Sequence, residues 1–211
     1  KAARTFRLLL SVDLRGFGPG APRGERGSDW AGGTVACAGG AMNFNVRAAP
    51  GWRGGGGGGG EEVWRLAEEC RRETLRFVEG RAWVPETVRL FDLGFRLGAP
   101  ILDLVEAEAR NPRTLGRAYS CGLSNSGVYP HAEAFDGGLR LRGVHYGTSH
   151  AGTGVLFELS CLTVAGELCG CVQAPVPIVS EADAARFAED VRSAVAAAVK
   201  ASEDAATPAA A

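Results

Sequence analysis

The sequence is short of charge imbalance, histidine and long apolar runs, and each shortage removes a class of function. Its 23 basic and 24 acidic residues leave a net charge of −1, and the arginines are dispersed along the chain. Such a balance gives no basic face for a nucleic acid or an anionic membrane surface. No apolar stretch reaches the roughly 20 residues of a membrane helix, so no membrane span is expected. Lys1-Ala-Ala-Arg-Thr-Phe-Arg7 lacks the apolar centre of a signal peptide. The expected compartment is cytoplasmic. Histidine occurs only at 131, 145 and 150, without zinc-ligand spacing, and the six cysteines include no Cys-x-x-Cys pair. No metal site is expected, and the thiols read as reduced, small core residues.

What is present is the composition of a globular chain. With 45% apolar and 22% charged residues over 211 positions, a core of useful size is available to one domain. That domain is expected over residues 1–200, with a disordered Ala-rich tail over 201–211. Residue 1 is lysine and a strand follows almost at once, which suggests a chain that belongs to a longer product. Strands are expected at Thr5–Arg15, over Thr34–Val46 as one strand bent at Gly39-Gly40 or two short ones, from Ala118 to about Ser124, at Leu139–Thr148, and as a hairpin, Val155–Val164 and Glu167–Ala174, turning at Ala165-Gly166. Helices are expected at Glu61–Glu79, at Pro85–Leu97, from Pro100 to Asn111, and after the capping-box sequence Ser180-Glu-Ala-Asp183. The glycine run Gly54–Gly60 lacks the Gly-Lys-Ser/Thr ending of a phosphate loop and reads as a flexible insert.

Chemistry concentrates between Ala118 and Pro130. There an apolar strand delivers Ser124, Asn125 and Ser126, two hydroxyls and a carboxamide, just before Gly127. Gly122-Leu-Ser-Asn-Ser-Gly127 misses the Gly-x-Ser-x-Gly nucleophile elbow by one residue, and Val128-Tyr129-Pro130 does not supply the helix that elbow needs. His131-Ala-Glu-Ala-Phe-Asp136-Gly137 has the shape of a His-His-x-x-x-Asp-Gly acyltransfer motif, but Ala132 stands where that motif carries its general base.

Taken in order, Leu10-Ser-Val-Asp-Leu-Arg15, the Gly-rich return with Asn43 and Asn45, Leu123-Ser-Asn-Ser-Gly-Val-Tyr-Pro130, and the hairpin with its final helix resemble the C-terminal half of the CoA-dependent acyltransferase superfamily. That group has the chloramphenicol-acetyltransferase-like fold and includes condensation domains; the Ser-Asn-x-Gly-Val wording is most similar to alcohol O-acetyltransferases. The resemblance implies an α/β two-layer architecture, a mixed sheet covered by helices. It also implies an acyl-CoA or acyl-carrier thioester as co-substrate, an alcohol or amine acceptor, and no permanently bound cofactor. Ser124, Asn125, Ser126 and Gly127 would line the substrate channel, and Arg15 would form a structural salt bridge to the catalytic aspartate. The general base would lie in the N-terminal half, so no catalytic residue is expected in this chain, and that half becomes its partner. The alternative is a degenerate, non-catalytic condensation-like module for binding or interaction. The plant acyltransferases' Asp-Phe-Gly-Trp-Gly motif is absent, and the glycine insert has no counterpart in the family.

Overall fold

The computed structural model describes residues 4–13, 39–48, 59–79, 94, 96–98, 101–129, 131, 133–149 and 152–206. Within them the chain is an α/β structure: β1 (Arg4–Asp13), β2 (Gly39–Ala48), α1 (Gly59–Glu79), α2 (Ile101–Ala109), β3 (Arg117–Val128), β4 (Gly154–Val164), β5 (Glu167–Gln173) and α3 (Glu181–Ala206). The five described strands form one mixed sheet in the order β2-β1-β3-β4-β5. Its edge pairs β1–β2 and β4–β5 are antiparallel, and the central pairs β1–β3 and β3–β4 are parallel.

Local chemistry accounts for the ends of these elements. The β4–β5 hairpin turns through Ala165 and Gly166, whose φ values of 51° and 78° match a two-residue turn with both residues left-handed. At the start of α3, Asp183 N donates to Ser180 Oγ at 3.1 Å, and that hydroxyl donates to Asp183 Oδ2 at 2.7 Å. An otherwise orphaned helix donor is thereby satisfied.

Parallel neighbours need a crossover between them. Both β1-to-β3 and β3-to-β4 require one, and they are built differently. The first contains α1 and α2. The second, residues 129–153, has among its described residues only a short 3-10 turn at Asp136–Gly138 and a single bridge between Ala134 and Arg140. This corrects the expectation of a strand over Leu139–Thr148. The segment crosses the sheet face instead of joining an edge, and it meets the sheet through individual bonds and no ladder: Thr148 N donates to Gln173 Oε1 at 2.8 Å.

Each face of the sheet thus has its own cover. Phe157 of β4 stacks on Phe187 of α3, with ring centroids 4.1 Å apart, and α1 joins α3 where Trp64 Nε1 donates to the Ala198 carbonyl at 3.3 Å. Such a ring pair adds about 1 kcal/mol beyond its burial. The crossover covers the opposite face. The core centres on β4, where Val155, Ser160, Cys161, Leu162 and Val164 are all buried. All five described cysteines are free, and burial pushes the Cys70, Cys121 and Cys161 thiols up, away from the reactive thiolate.

One further expectation shifts, and others fall outside the described residues. Helix α3 runs on to Ala206, so residues 201–206 are helical where a tail was expected; Lys200 pairs with Asp204 at 3.4 Å across this last stretch. The second strand is described over Gly39–Ala48 and includes the Gly39-Gly40 pair, while residues 34–38 of the expected strand lie outside the described residues. The expected helix at 85–97 lies almost wholly outside the described residues, as do Arg15 and most of the glycine insert.

Candidate functional site

Strand β3 is central, parallel to both neighbours, and carries Ser124, Asn125 and Ser126 at its C-terminal end. In open α/β sheets that end is where ligands bind. Pairing with β4 is regular from Cys121 to Asn125 and then shifts register before Val128 meets Thr163. Gly127 sits at the shift with φ of 74°, a left-handed conformation that favours glycine. Its amide donates to Asn125 Oδ1 at 2.9 Å, which fixes the backbone in a tight local turn.

Tyr146, from the crossover, occupies the break. Its hydroxyl donates to the Ser124 carbonyl at 2.7 Å and accepts from Ser126 Oγ at 2.8 Å. The same oxygen lies 3.2 Å from Ser124 Oγ and 3.3 Å from the Cys161 carbonyl. One phenol thus gathers both serines and ties β3 to β4 where their ladder opens. Asn125 points away from this cluster, because alternate residues of a strand face opposite sides. The structure therefore brings Ser124, Ser126 and Gly127 together, and separates Asn125 from them except through its turn.

Beneath the serines lies a polar row that sequence reading missed. Gly122, Glu158 and Gln173 are in register across β3, β4 and β5, and the next row on the same face is Ser124, Ser160 and Cys171. Glu158 is 4% exposed, and its carboxylate fills the space that a Cβ at Gly122 would take. Desolvation raises its pKa above the ordinary carboxylate range. Ser160 is 1% exposed. The signal was present: in Leu156-Phe-Glu-Leu-Ser-Cys-Leu162 a carboxylate and a hydroxyl share one face of a strand whose other residues are mostly apolar. Tyr146 gave no such signal, since its partners are set by the path of the crossover.

The histidines do not join the cluster. His131 is exposed and lies edge-to-face on Tyr129, with centroids 5.3 Å apart; His145 is exposed, and His150 lies outside the described residues. Among the described residues Tyr146 is the hydrogen-bond partner of the Ser124 and Ser126 side chains. No group of three or more metal-ligating side chains occurs among the described residues. None of the described helices is long and apolar enough to cross a membrane.

A groove of about 360 Å³ opens at the other side of the sheet, between β2 and α1, lined by Asn45, Val46, Leu66, Glu69, Cys70 and Glu73. Its carboxylates are already paired, Glu69 with Arg65 at 3.3 Å and Glu73 with Arg76 at 2.8 Å, so it offers little unspent charge. No protein-family model, curated protein sequence or solved structure matches this chain.

Proposed function

We propose that this chain is the C-terminal half of an acyl-CoA-dependent O-acyltransferase with the chloramphenicol-acetyltransferase-like architecture, acting on an alcohol or amine acceptor. The observation that carries the reading is the hydroxyl cluster of Ser124, Ser126 and Tyr146 at the C-terminal end of the central parallel strand. It stands on the segment whose wording resembles the family's channel strand. Hydroxyl donors held by neighbours suit the task expected there, which is to orient an acceptor hydroxyl or to stabilise the oxyanion formed when a thioester carbonyl is attacked. The base that would take the acceptor's proton is supplied by a preceding half-domain, and Arg15 would brace that half's catalytic loop.

The test is thiol release from acetyl-CoA and longer acyl-CoAs, offered with a panel of alcohols and amines. We expect release by the chain joined to the product of the coding sequence upstream of Lys1, and none by the 211 residues alone. Thioester cleavage by the 211 residues that Ser124→Ala abolishes would contradict the proposal. A binding module without catalysis is favoured by one observation: among the described residues the Ser124 and Ser126 side chains bond to Tyr146 and to no histidine or carboxylate. Binding of acyl-CoA by the longer chain with no transfer to any acceptor would select that reading.

A further inference from the structure

Ser160 is 1% exposed and its Oγ has no hydrogen-bond partner among the described residues. A hydroxyl withdrawn from water and left unbonded costs about tenfold or more in the folding equilibrium. Alanine would fill the same place without that cost. A serine buried at the centre of a sheet therefore calls for a ligand to its hydroxyl.

Its surroundings define what that ligand is. In register on either side stand Ser124 of β3 and Cys171 of β5, both small, and Tyr146 reaches over the row to Ser124. Adjacent strands lie about 4.8 Å apart, so the two serine side chains are neighbours, yet no hydrogen bond joins them. Ser124 Oγ retains an unspent lone pair whichever way the proton between it and Tyr146 points. Ser160 Oγ offers both a proton and lone pairs. One oxygen that accepts the Ser160 proton and donates to Ser124 serves both groups, whereas a carbonyl cannot donate to Ser124 and an ammonium cannot accept from Ser160.

We propose that Ser124 and Ser160 form a binding site for a single bridging hydroxyl group, HOH or ROH, at the floor of the candidate site. Two sources share this chemistry. A resident water would serve a structural role. The hydroxyl of an acceptor alcohol would make Ser160 a determinant of acceptor specificity, and this second source rests on the acyltransferase reading.

The experiment is a double-mutant cycle on the full chain, read by urea unfolding. Ser160→Ala is expected to lower the folded-to-unfolded ratio about five- to tenfold. Ser124→Ala and Ser160→Ala are expected to couple by about fivefold, since either change empties the same bridge. A rise in stability on Ser160→Ala, with additive Ser124 and Ser160 effects, would overturn the site. In wild type, nuclear Overhauser contacts from solvent water to the Ser160 and Cys161 amides should be present and be lost in Ser160→Ala. Added ethanol separates the sources. Replacement of the water contacts by ethanol contacts assigns the acceptor hydroxyl, and their persistence assigns resident water and severs only the link to acyl transfer. Absence of both kinds of contact would remove the site.

Discussion

At the scale of single residues, the site is set by small side chains that make room for polar ones. Gly122 leaves the space that the Glu158 carboxylate occupies, and burial keeps that carboxyl protonated to a higher pH than an exposed glutamate. The unfolded chain releases this proton near the ordinary value of about 4.3, and the native chain releases it later. Between the two values the native state holds the additional proton, so stability falls as pH rises across that window. The contribution is complete below the unfolded pKa and is lost as pH climbs through the raised folded one. Replacing Glu158 by Gln is expected to flatten this decline, as measured by denaturant midpoints taken from pH 4 upward. An unchanged slope would assign the dependence to other groups. Tyr146 is the second test at this scale. Tyr146→Phe removes the phenol bonds to Ser124 and Ser126 and is expected to cost about 1–2 kcal/mol, with faster amide exchange at Gly127, where β3 departs from β4. Loss of stability without local exchange would show that the phenol acts through packing alone.

At the scale of elements, the alternation and capping patterns carried most of the secondary structure, because they are local. The hairpin turn at Ala165-Gly166, the Ser180 cap and the amphipathic α1 each depend on residues within a few positions of one another. The crossover from β3 to β4 did not yield to the same reasoning. Leu139–Thr148 has a strand-like pattern, yet its bonds to the sheet run to the Gln173, Ser124 and Ser126 side chains and the Ser124 carbonyl instead of along a ladder, and nothing in its own spacing tells whether it joins an edge or crosses a face. The cluster of hydroxyls was legible as composition, Ser124-Asn125-Ser126, but its arrangement was not, since Tyr146 arrives from twenty residues away. The hairpin also yields a prediction. Ala165 holds φ of 51°, a conformation that disfavours a residue with a Cβ and suits asparagine or glycine. Ala165→Asn is expected to stabilise the chain by about 0.5–1 kcal/mol, read as a raised denaturation midpoint with unchanged m. No gain would mean that the Ala165 amide's bond to Glu133 Oε1, at 2.7 Å, already sets the turn.

At the scale of the whole molecule, exposed apolar side chains gather at one end of the sheet. Val128, Thr163 and Leu168 lie in register at the hairpin end of the sheet, and Val128 and Leu168 are 61% and 65% exposed. Phe135 and Leu139, joined by a backbone bond of 2.9 Å and also well exposed, lie in the crossover next to the Glu133 contact with the hairpin turn. Single exposed apolar residues are ordinary, whereas several gathered at one end of a sheet mark a surface that meets something. That end also carries Ser126 and Tyr146. In the acyltransferase reading a second half-domain covers this surface and closes the channel over the hydroxyls. The isolated 211 residues should then bind a hydrophobic dye while remaining folded by circular dichroism, and should self-associate as concentration rises. Leu139→Lys with Leu168→Lys should reduce both effects several-fold and leave the melting temperature nearly unchanged, because neither side chain is buried. Extending the chain with its preceding sequence should suppress dye binding in the same way without any substitution. A monodisperse chain that binds no dye would argue for a domain complete without a partner, and the binding-module reading of the serine cluster would then be the one to pursue.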